Sequence, residues 1–520
     1  MDHTRRPGAS IWDFVGVILG AFLLAAAATA ADGWPLPSVH DEFSLIRAGE
    51  TFATGRAAYP APLEADAFAT FHTLTQPTYA TKYLPAHPLF LALGIRVAGS
   101  PRAGQWLAFA VCALSIFYLI LPFGRTSAWV VTLLASVALA DTAWTSGYFG
   151  SSVAAAGACL LLGAAMRLRD RPGLRSGLTA GLGASLLLAS RPWEGFWAGL
   201  PIASLLLWLA VSHDRAVRGP LVAAGVVLAA TVVLLGRYNR AVTGSWSLPA
   251  YVLYEREVGG GAPPFVWQDT TRARATRVNA RVRDNDDLQR YREIRTAPGR
   301  TLVARARRSA EYFGEVALAG AALLAVFALT GGSGYVLASL LGAVGAVGVA
   351  SFFTPHYLGV AIAPLLWLSA AGAQRVTASR RGTRALGILS VVILASGLYR
   401  IAVRDAAEEQ RIGASAWQVR RADVAARVAA GAPPGRQVVF VKYGPTYTAR
   451  YEWVQNPADL QHAPILWVHD RGDSANRALL AAWPATRTWH LRLEHNARGV
   501  AALLDRYGTP RHDVPTMAAP

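Results

Sequence analysis

Cysteine is nearly absent from this chain. The 520 residues hold two, Cys112 and Cys159, both inside apolar segments, so a disulfide framework and a thiolate metal cluster are excluded and core packing is the reading for each. Charge is scarce as well: Asp, Glu, Lys and Arg make up 16% of the residues against 53% hydrophobic ones, and the mean hydropathy is +0.30. That balance excludes an ordinary soluble protein of this length. The familiar signatures of catalysis are missing too. There is no P-loop, no nucleophile elbow, no HExxH, no EF-hand loop and no internal repeat, so the chemistries that depend on those arrangements have no support here.

What the chain does have is long apolar runs. A hydrocarbon core of about 30 Å takes about 20 apolar residues per helical span, and runs near that length fall at 11–31, 104–121, 126–141, 150–166, 176–190, 195–211, 219–236, 315–330, 333–351, 356–373 and 384–400. The expected architecture is an α-helical polytopic membrane protein of about 11 spans. The first run also carries features of a signal peptide, with Arg5 and Arg6 ahead of it and Ala28-Thr29-Ala30 at its end; on either reading residue 32 begins outside the cytoplasm. Basic residues in short loops stay cytoplasmic. With the N-terminus inside, Arg125, the Arg167–Arg171 cluster with Arg175, Arg215 and Arg218, and Arg375, Arg380, Arg381 and Arg384 all fall on the cytoplasmic side. Counting 86–98 as a further span would reverse the 167–175 cluster, so that stretch reads as a juxtamembrane or re-entrant helix.

This topology divides the chain into a membrane domain, 1–402, with external loops 32–103 and 237–314, and a soluble extracytoplasmic domain, 403–520, long enough for a small core of its own. In the tail, 437–441, 464–468 and 488–493 read as strands, while 475–483 and 497–507 carry helical apolar spacing, which suggests a compact α/β unit. The net charge of +18 is partly local: residues 272–308 hold twelve Arg against Asp284, Asp286, Asp287 and Glu293, a net of +8. Many spans and an external location argue against nucleic acid as partner. Anionic membrane lipids or a lipid-linked phosphate fit such a loop, as does a solvated helical face.

The informative polar residues gather on the external ends of the spans. His40-Asp41-Glu42 follows the first apolar run, where a span boundary needs no carboxylates; the bland alternative is a helix N-terminus capped by Ser38, with the acids favoured by the helix dipole. Tyr79 to Pro88 brings Lys82, Tyr83 and His87 ahead of a short apolar stretch. Ser146-Gly147-Tyr148 precedes the fourth span, Arg191-Pro192-Trp193-Glu194 joins the fifth and sixth, and Thr354-Pro355-His356-Tyr357 joins the ninth and tenth. All of these lie on one side of the membrane, whereas the cytoplasmic loops offer scattered Arg.

With His40-Asp41-Glu42-Phe43 in the first external loop, Lys82-Tyr83-Leu84-Pro85 after it, alternating short loops and a soluble tail, the chain resembles the GT-C superfamily of polytopic glycosyltransferases. The resemblance covers most of the membrane part and is nearest to the bacterial branch related to protein mannosyltransferases (glycosyltransferase family 39) and aminoarabinose transferases; Leu84 departs from it, since many relatives have a second Pro there. The resemblance implies transfer of a hexosyl or pentosyl group from a polyprenyl-phosphate donor to a glycan, lipid or protein acceptor at the external face of the bacterial inner membrane. On that basis Asp41 is the candidate base and Glu42 its assistant, with inversion at the anomeric centre. Lys82, Arg191 and His356 are candidates to hold the donor phosphate, and Tyr83, Tyr148 and Tyr357 to hydrogen-bond the sugar or phosphate. No cofactor is required; a divalent metal held by His40, Asp41 and Glu42 is the open alternative. Two rival classes differ in signature. A lipid-linked sugar transporter would line its spans with ionisable residues, of which these spans have few, and a non-catalytic scaffold presenting the tail leaves residues 40–42 and 79–88 without a purpose.

Overall fold

The computed structural model describes residues 9–140, 142–212, 215–259, 262–269, 288–328, 334–412, 417–430, 435–445, 447, 452–496 and 499–507. Among them, seven helices are long and apolar enough to cross a membrane: Ile11–Ala31, Pro101–Phe123, Ser151–Asp170, Pro192–Ser212, Arg215–Thr243, Pro355–Val376 and Arg380–Val403. The expected spans at 126–141, 176–190 and 333–351 are helices of 15 residues, shorter than the 20 or so that a hydrocarbon core asks for. The run at 315–330 falls in the second half of helix Pro298–Ala328, which breaks at Gly314 with φ of 55°.

The bundle is built from α1 (Ile11–Ala31), α4 (Pro101–Ile120), α5 (Arg125–Leu139), α6 (Ser151–Asp170), α7 (Leu174–Leu188), α8 (Pro192–Ser212) and α9 (Arg215–Thr243) with the later helices Gly334–Gly348, Ile362–Val376 and Arg380–Ile412. Its core is rich in small residues: Ala108, Ala110, Ala113, Ala154–Ala156, Ala164 and Ala165 are buried with Phe117, Ile116 and Trp144, which lets helices approach closely where lipid supplies no hydrophobic drive. At the base of α1 the buried Asp13 accepts from Arg125 Nε at 2.9 Å and Trp129 Nε1 at 2.8 Å, so this segment is tied into the bundle.

The first loop, between α1 and α4, contains α2 (His40–Ala53), a small sheet of β1 (Tyr59–Pro60), β2 (Thr73–Leu74) and β3 (Thr78–Thr81) in the order β1-β3-β2, and α3 (Ala86–Ala98). Gly94 of α3 lies against Gly104 of α4 so closely that a Cβ on Gly94 would fall 2.1 Å from the Gly104 nitrogen; the pair fixes the loop on the bundle. Past its apolar run α9 continues to Thr243, and the chain then forms α10 (Ala250–Tyr254) and a π-helical turn, Glu255–Gly259.

The tail is a four-stranded sheet in the order β5-β4-β6-β7, from β4 (Gln437–Tyr443), β5 (Ile465–His469), β6 (Arg487–Asn496) and β7 (Gly499–Arg506), with β4 parallel to β5 and β6 and with β7 antiparallel to β6. The expected helix at 497–507 is therefore corrected to a strand along most of its length: β6 is long and its outer edge needs a partner, and this pairing overrides a helical apolar spacing in Val500-Ala501-Ala502-Leu503-Leu504. Helix Trp417–Ala430 covers one face with Val424 and Val428 on Val439, Val441, Leu491 and Leu493. On the other face, Phe440, Leu466 and Val468 pack with Trp483 and with Phe68 and Tyr79 of the first loop, so loop and tail share a core.

Candidate active site

The first turn of α2 sets two carboxylates in opposite directions. Glu42 turns inward and is buried; its Oε2 accepts the Ser38 N–H at 2.7 Å and the Val39 N–H at 3.2 Å, and its Oε1 the Tyr148 N–H at 3.2 Å. Burial pushes its carboxyl up against the pull of these donors. Val39, not Ser38, is the helix cap, and the Ser38 backbone is held by Glu42 instead. Asp41 turns outward, its side chain 35% exposed. Tyr83 donates its hydroxyl to Oδ1, and His72 Nε2 lies 3.5 Å from Oδ2. Burial raises the Asp41 carboxyl, but His72, the Tyr83 hydroxyl and the charge on Lys82 outweigh it and hold the group well below the ordinary carboxylate range. Burial and Lys82 push the His72 imidazole down despite the neighbouring Asp41.

His72 has a left-handed backbone, φ 60°, which costs free energy and persists only where its surroundings dictate it. They do so here. Its N–H donates to the Tyr254 hydroxyl at 3.0 Å, and its carbonyl accepts from Ser44 Oγ at 2.6 Å and from the Lys82 N–H at 3.0 Å.

Lys82 and Lys442 are the only lysines among the 50 basic residues, and Lys82 is buried in a tyrosine cage. Its Nζ sits 4.6 Å above the Tyr251 ring and 4.7 Å above Tyr254, with Tyr83 at 5.7 Å, and pairs with Glu255 Oε1 at 3.2 Å. Burial lowers this ammonium, yet Tyr251, Glu255, Tyr254 and Asp41 raise it further, so it stays charged. Arg191 lies over the Tyr357 ring at 4.1 Å and 3.4 Å from Glu194 Oε1; its charge reaches Tyr83 and Asp41. His356 packs between Phe149 at 4.8 Å and Tyr357 at 4.9 Å, its Nε2 3.3 Å from Thr354 Oγ1. Asp41, Lys82, Tyr83, Arg191, His356 and Tyr357 thus lie in one electrostatic neighbourhood. Glu42 and Tyr148 stand behind it: the Tyr148 ring packs with Leu45 and Leu91, and its backbone serves Glu42.

The proposed metal set is not assembled. His40 packs on Phe71 with ring centroids 4.4 Å apart, the Glu42 oxygens are taken by backbone N–H groups, and among the described residues no three His, Cys, Asp or Glu side chains converge as a metal site. Four residues of the centre escaped sequence reasoning: His72, Tyr251, Tyr254 and Glu255. The spacing of Tyr251, Tyr254 and Glu255, which puts three polar side chains on one helical face, was the available signal.

The basic segment also looks different at close range. Residues 272–287 lie outside those described. Arg305 is not free to gather lipid: its Nη1 donates to the carbonyls of Val347 at 3.4 Å, Gly348 at 2.9 Å and Ala350 at 2.8 Å, and its Nη2 to Ser351 at 3.2 Å, capping the helix Gly334–Gly348. Arg307 pairs with Glu311 at 2.7 Å.

No family model matches the chain, and comparison with curated proteins gives no match. Solved structures do match. ArnT from Cupriavidus metallidurans, bound to undecaprenyl phosphate, aligns over 93% of this chain and 94% of its own, at TM-score 0.54 and 12% identity. The chain has the GT-C fold. Archaeal oligosaccharyltransferase AglB from Archaeoglobus fulgidus, in complex with an inhibitory peptide and a dolichol-phosphate, aligns over 93% of this chain and 69% of its own at TM-score 0.48 and 12% identity. Arabinosyltransferase EmbB from Mycobacterium smegmatis aligns over 72% and 32% at 0.43 and 14%. All three are GT-C membrane glycosyltransferases. On this GT-C fold the Asp41 centre is formed by the first loop, the segment after α9 and the starts of two bundle helices.

Proposed function

We propose that the chain is a membrane glycosyltransferase that moves a sugar from a polyprenyl-phosphate donor onto an acceptor at the extracytoplasmic face of the bacterial inner membrane. The observation that carries this reading is Asp41: an ionised, partly exposed carboxylate near the buried Lys82 and the half-buried Arg191, on a fold whose full-length match is a structure bound to undecaprenyl phosphate. The acceptor hydroxyl gives its proton to Asp41 as its oxygen attacks the anomeric carbon. The bond from that carbon to the phosphate oxygen breaks, and the phosphate keeps the electron pair. One displacement inverts the centre. Charge gathering on the departing phosphate is met by Lys82 and Arg191, whose positions are set in advance by their tyrosines and carboxylate partners. Tyr357 and Tyr83 supply hydroxyls at the same centre, while Glu42 holds the loop backbone rather than the reacting atoms. Tyr148 supports it from behind.

The basic-residue distribution supports placing the 32–103 loop, the 237–314 segment and the tail outside. Mass spectrometry of envelope glycans, lipids and proteins from cells with and without the chain tests the reading: one missing sugar on one acceptor class is expected, and identical profiles with accumulating donor absent would oppose it.

A further inference from the structure

A single buried cation links the tail domain to the Asp41 centre. Arg47 of α2 is 2% exposed, and all three of its nitrogens donate: Nε to the Asn456 carbonyl at 3.0 Å, Nη2 to Gln455 Oε1 at 3.0 Å and Nη1 to Thr73 Oγ1 at 2.6 Å. Two of these bonds go to the tail domain and the third to the residue following His72. A side chain needed only to fill space would not be a guanidinium, which is costly to bury unless its donors are satisfied.

The tail end of the link is rigid. Asn456 is zipped to the middle of β5, donating Nδ2 to the Trp467 carbonyl at 2.7 Å and accepting the Trp467 N–H at 2.8 Å. Arg421 donates to the carbonyls of Trp453 at 3.2 Å and Gln455 at 2.6 Å. Glu50 of α2 accepts the Ala458 N–H at 2.8 Å alongside. The other end reaches the site. Thr73 Oγ1 accepts from Arg47 and donates to the Phe71 carbonyl at 3.3 Å, so one hydroxyl bridges both sides of the strained residue His72, whose ring stands 3.5 Å from Asp41.

We propose that Arg47 and Thr73 are positioning residues through which the tail domain, as a fixed reference, holds His72 and thereby the Asp41 carboxylate in its working geometry. This rests on the glycosyltransferase reading for its kinetic consequence but not for its structural one. The tail domain is then a working part of the catalytic centre, and acceptor capture is not its principal role.

The test compares Thr73→Val with Thr73→Ser in the purified full-length protein, assayed with a panel of undecaprenyl-phosphate hexoses and pentoses. Val keeps the shape and loses the hydroxyl; Ser keeps the hydroxyl and loses the methyl. T73V should lower kcat by roughly 10–100-fold, the scale of a small misplacement of a reacting group, with donor KM little changed, and T73S should restore most of the rate. The reverse order, which a packing role gives, overturns the proposal. Adding T73V to Arg47→Met should cost no further rate, since both cut the same link; multiplied losses overturn it. Hydrogen exchange separates the coupling from the reaction. T73V should speed exchange of the amides at 71–74 and T73S should not, and equal exchange in the two overturns the coupling even if R47M fails to fold. A wild type that protects these amides, responds to T73V in this way and still transfers no sugar from the panel would sink the glycosyltransferase reading while leaving the coupling supported.

Discussion

Replacing Lys82 by Met isolates what its charge does. Met is unbranched and of similar length, so it fills the cage of Tyr251, Tyr254 and Tyr83, and only the ammonium is lost. If Lys82 meets the charge that develops on the leaving phosphate, K82M removes one preorganised cation from a site with little water, a loss of roughly 10²–10³ in kcat, or about 3–4 kcal/mol of transition-state stabilisation. The fold should tolerate the change. Glu255 loses its partner, but its side chain is 28% exposed, so water takes over and the destabilisation stays on the order of 1 kcal/mol or less. Glu255→Gln is the counterpart: it leaves the ammonium in its cage without the competing carboxylate and should lower the donor KM. Both variants can be measured in detergent with a defined undecaprenyl-phosphate sugar under single-turnover conditions, so that chemistry is separated from product release. Wild-type kcat in K82M, or a loss in E255Q as large as in K82M, would make the pair a structural counter-charge and refute the reasoning.

Tyr83→Phe removes the hydroxyl that donates to Asp41. A base works in its ionised form, present above its pKa and lost as pH falls through it; Asp41 is held below the ordinary aspartate value of about 3.9, so Y83F should move the acid limb of kcat/KM to higher pH, and an unmoved limb would show that Asp41 is not the titrating base. Arg305→Leu should lower the melting temperature of the purified protein clearly, because four carbonyls lose a charged donor, whereas Arg307→Gln, which breaks an exposed ion pair, should shift it little; equal melting of the two variants would refute the capping role.

The membrane character and the position of the candidate loop were legible because both depend on residues close together in sequence. Apolar runs mark their own helices, and Asp41 and Glu42 stand out beside a membrane whichever way they point. Their division of labour was not legible. It depends on the Tyr148 N–H, more than a hundred residues away, which claims Glu42 and leaves Asp41 for the site. The same holds for Lys82: its charge marked it, but its carboxylate and two of its three tyrosines come from the segment after α9. His72 was hidden by a local sequence, Phe71-His72-Thr73, that reads as an unremarkable piece of loop, while its significance comes from a backbone held by α2, α10 and Lys82.

Arg305 misled for the opposite reason. Within a strongly basic stretch it resembled its neighbours, and only the carbonyls at the end of helix Gly334–Gly348 distinguish a cap from a lipid-facing charge. The strand β7 shows the usual limit of periodicity in short apolar runs, where an unpaired strand edge decides between two readings that the side chains leave nearly balanced.

The most direct test of the central claim is sugar transfer by Asp41→Asn. Asn keeps the size of the side chain and an oxygen for the Tyr83 hydroxyl but cannot take the acceptor proton. Measured with purified protein and a defined polyprenyl-phosphate sugar, turnover should fall by roughly 10²–10⁴-fold, with donor binding and melting temperature close to wild type. Wild-type turnover by a folded D41N protein would contradict the account and leave this loop a structural cap on the bundle.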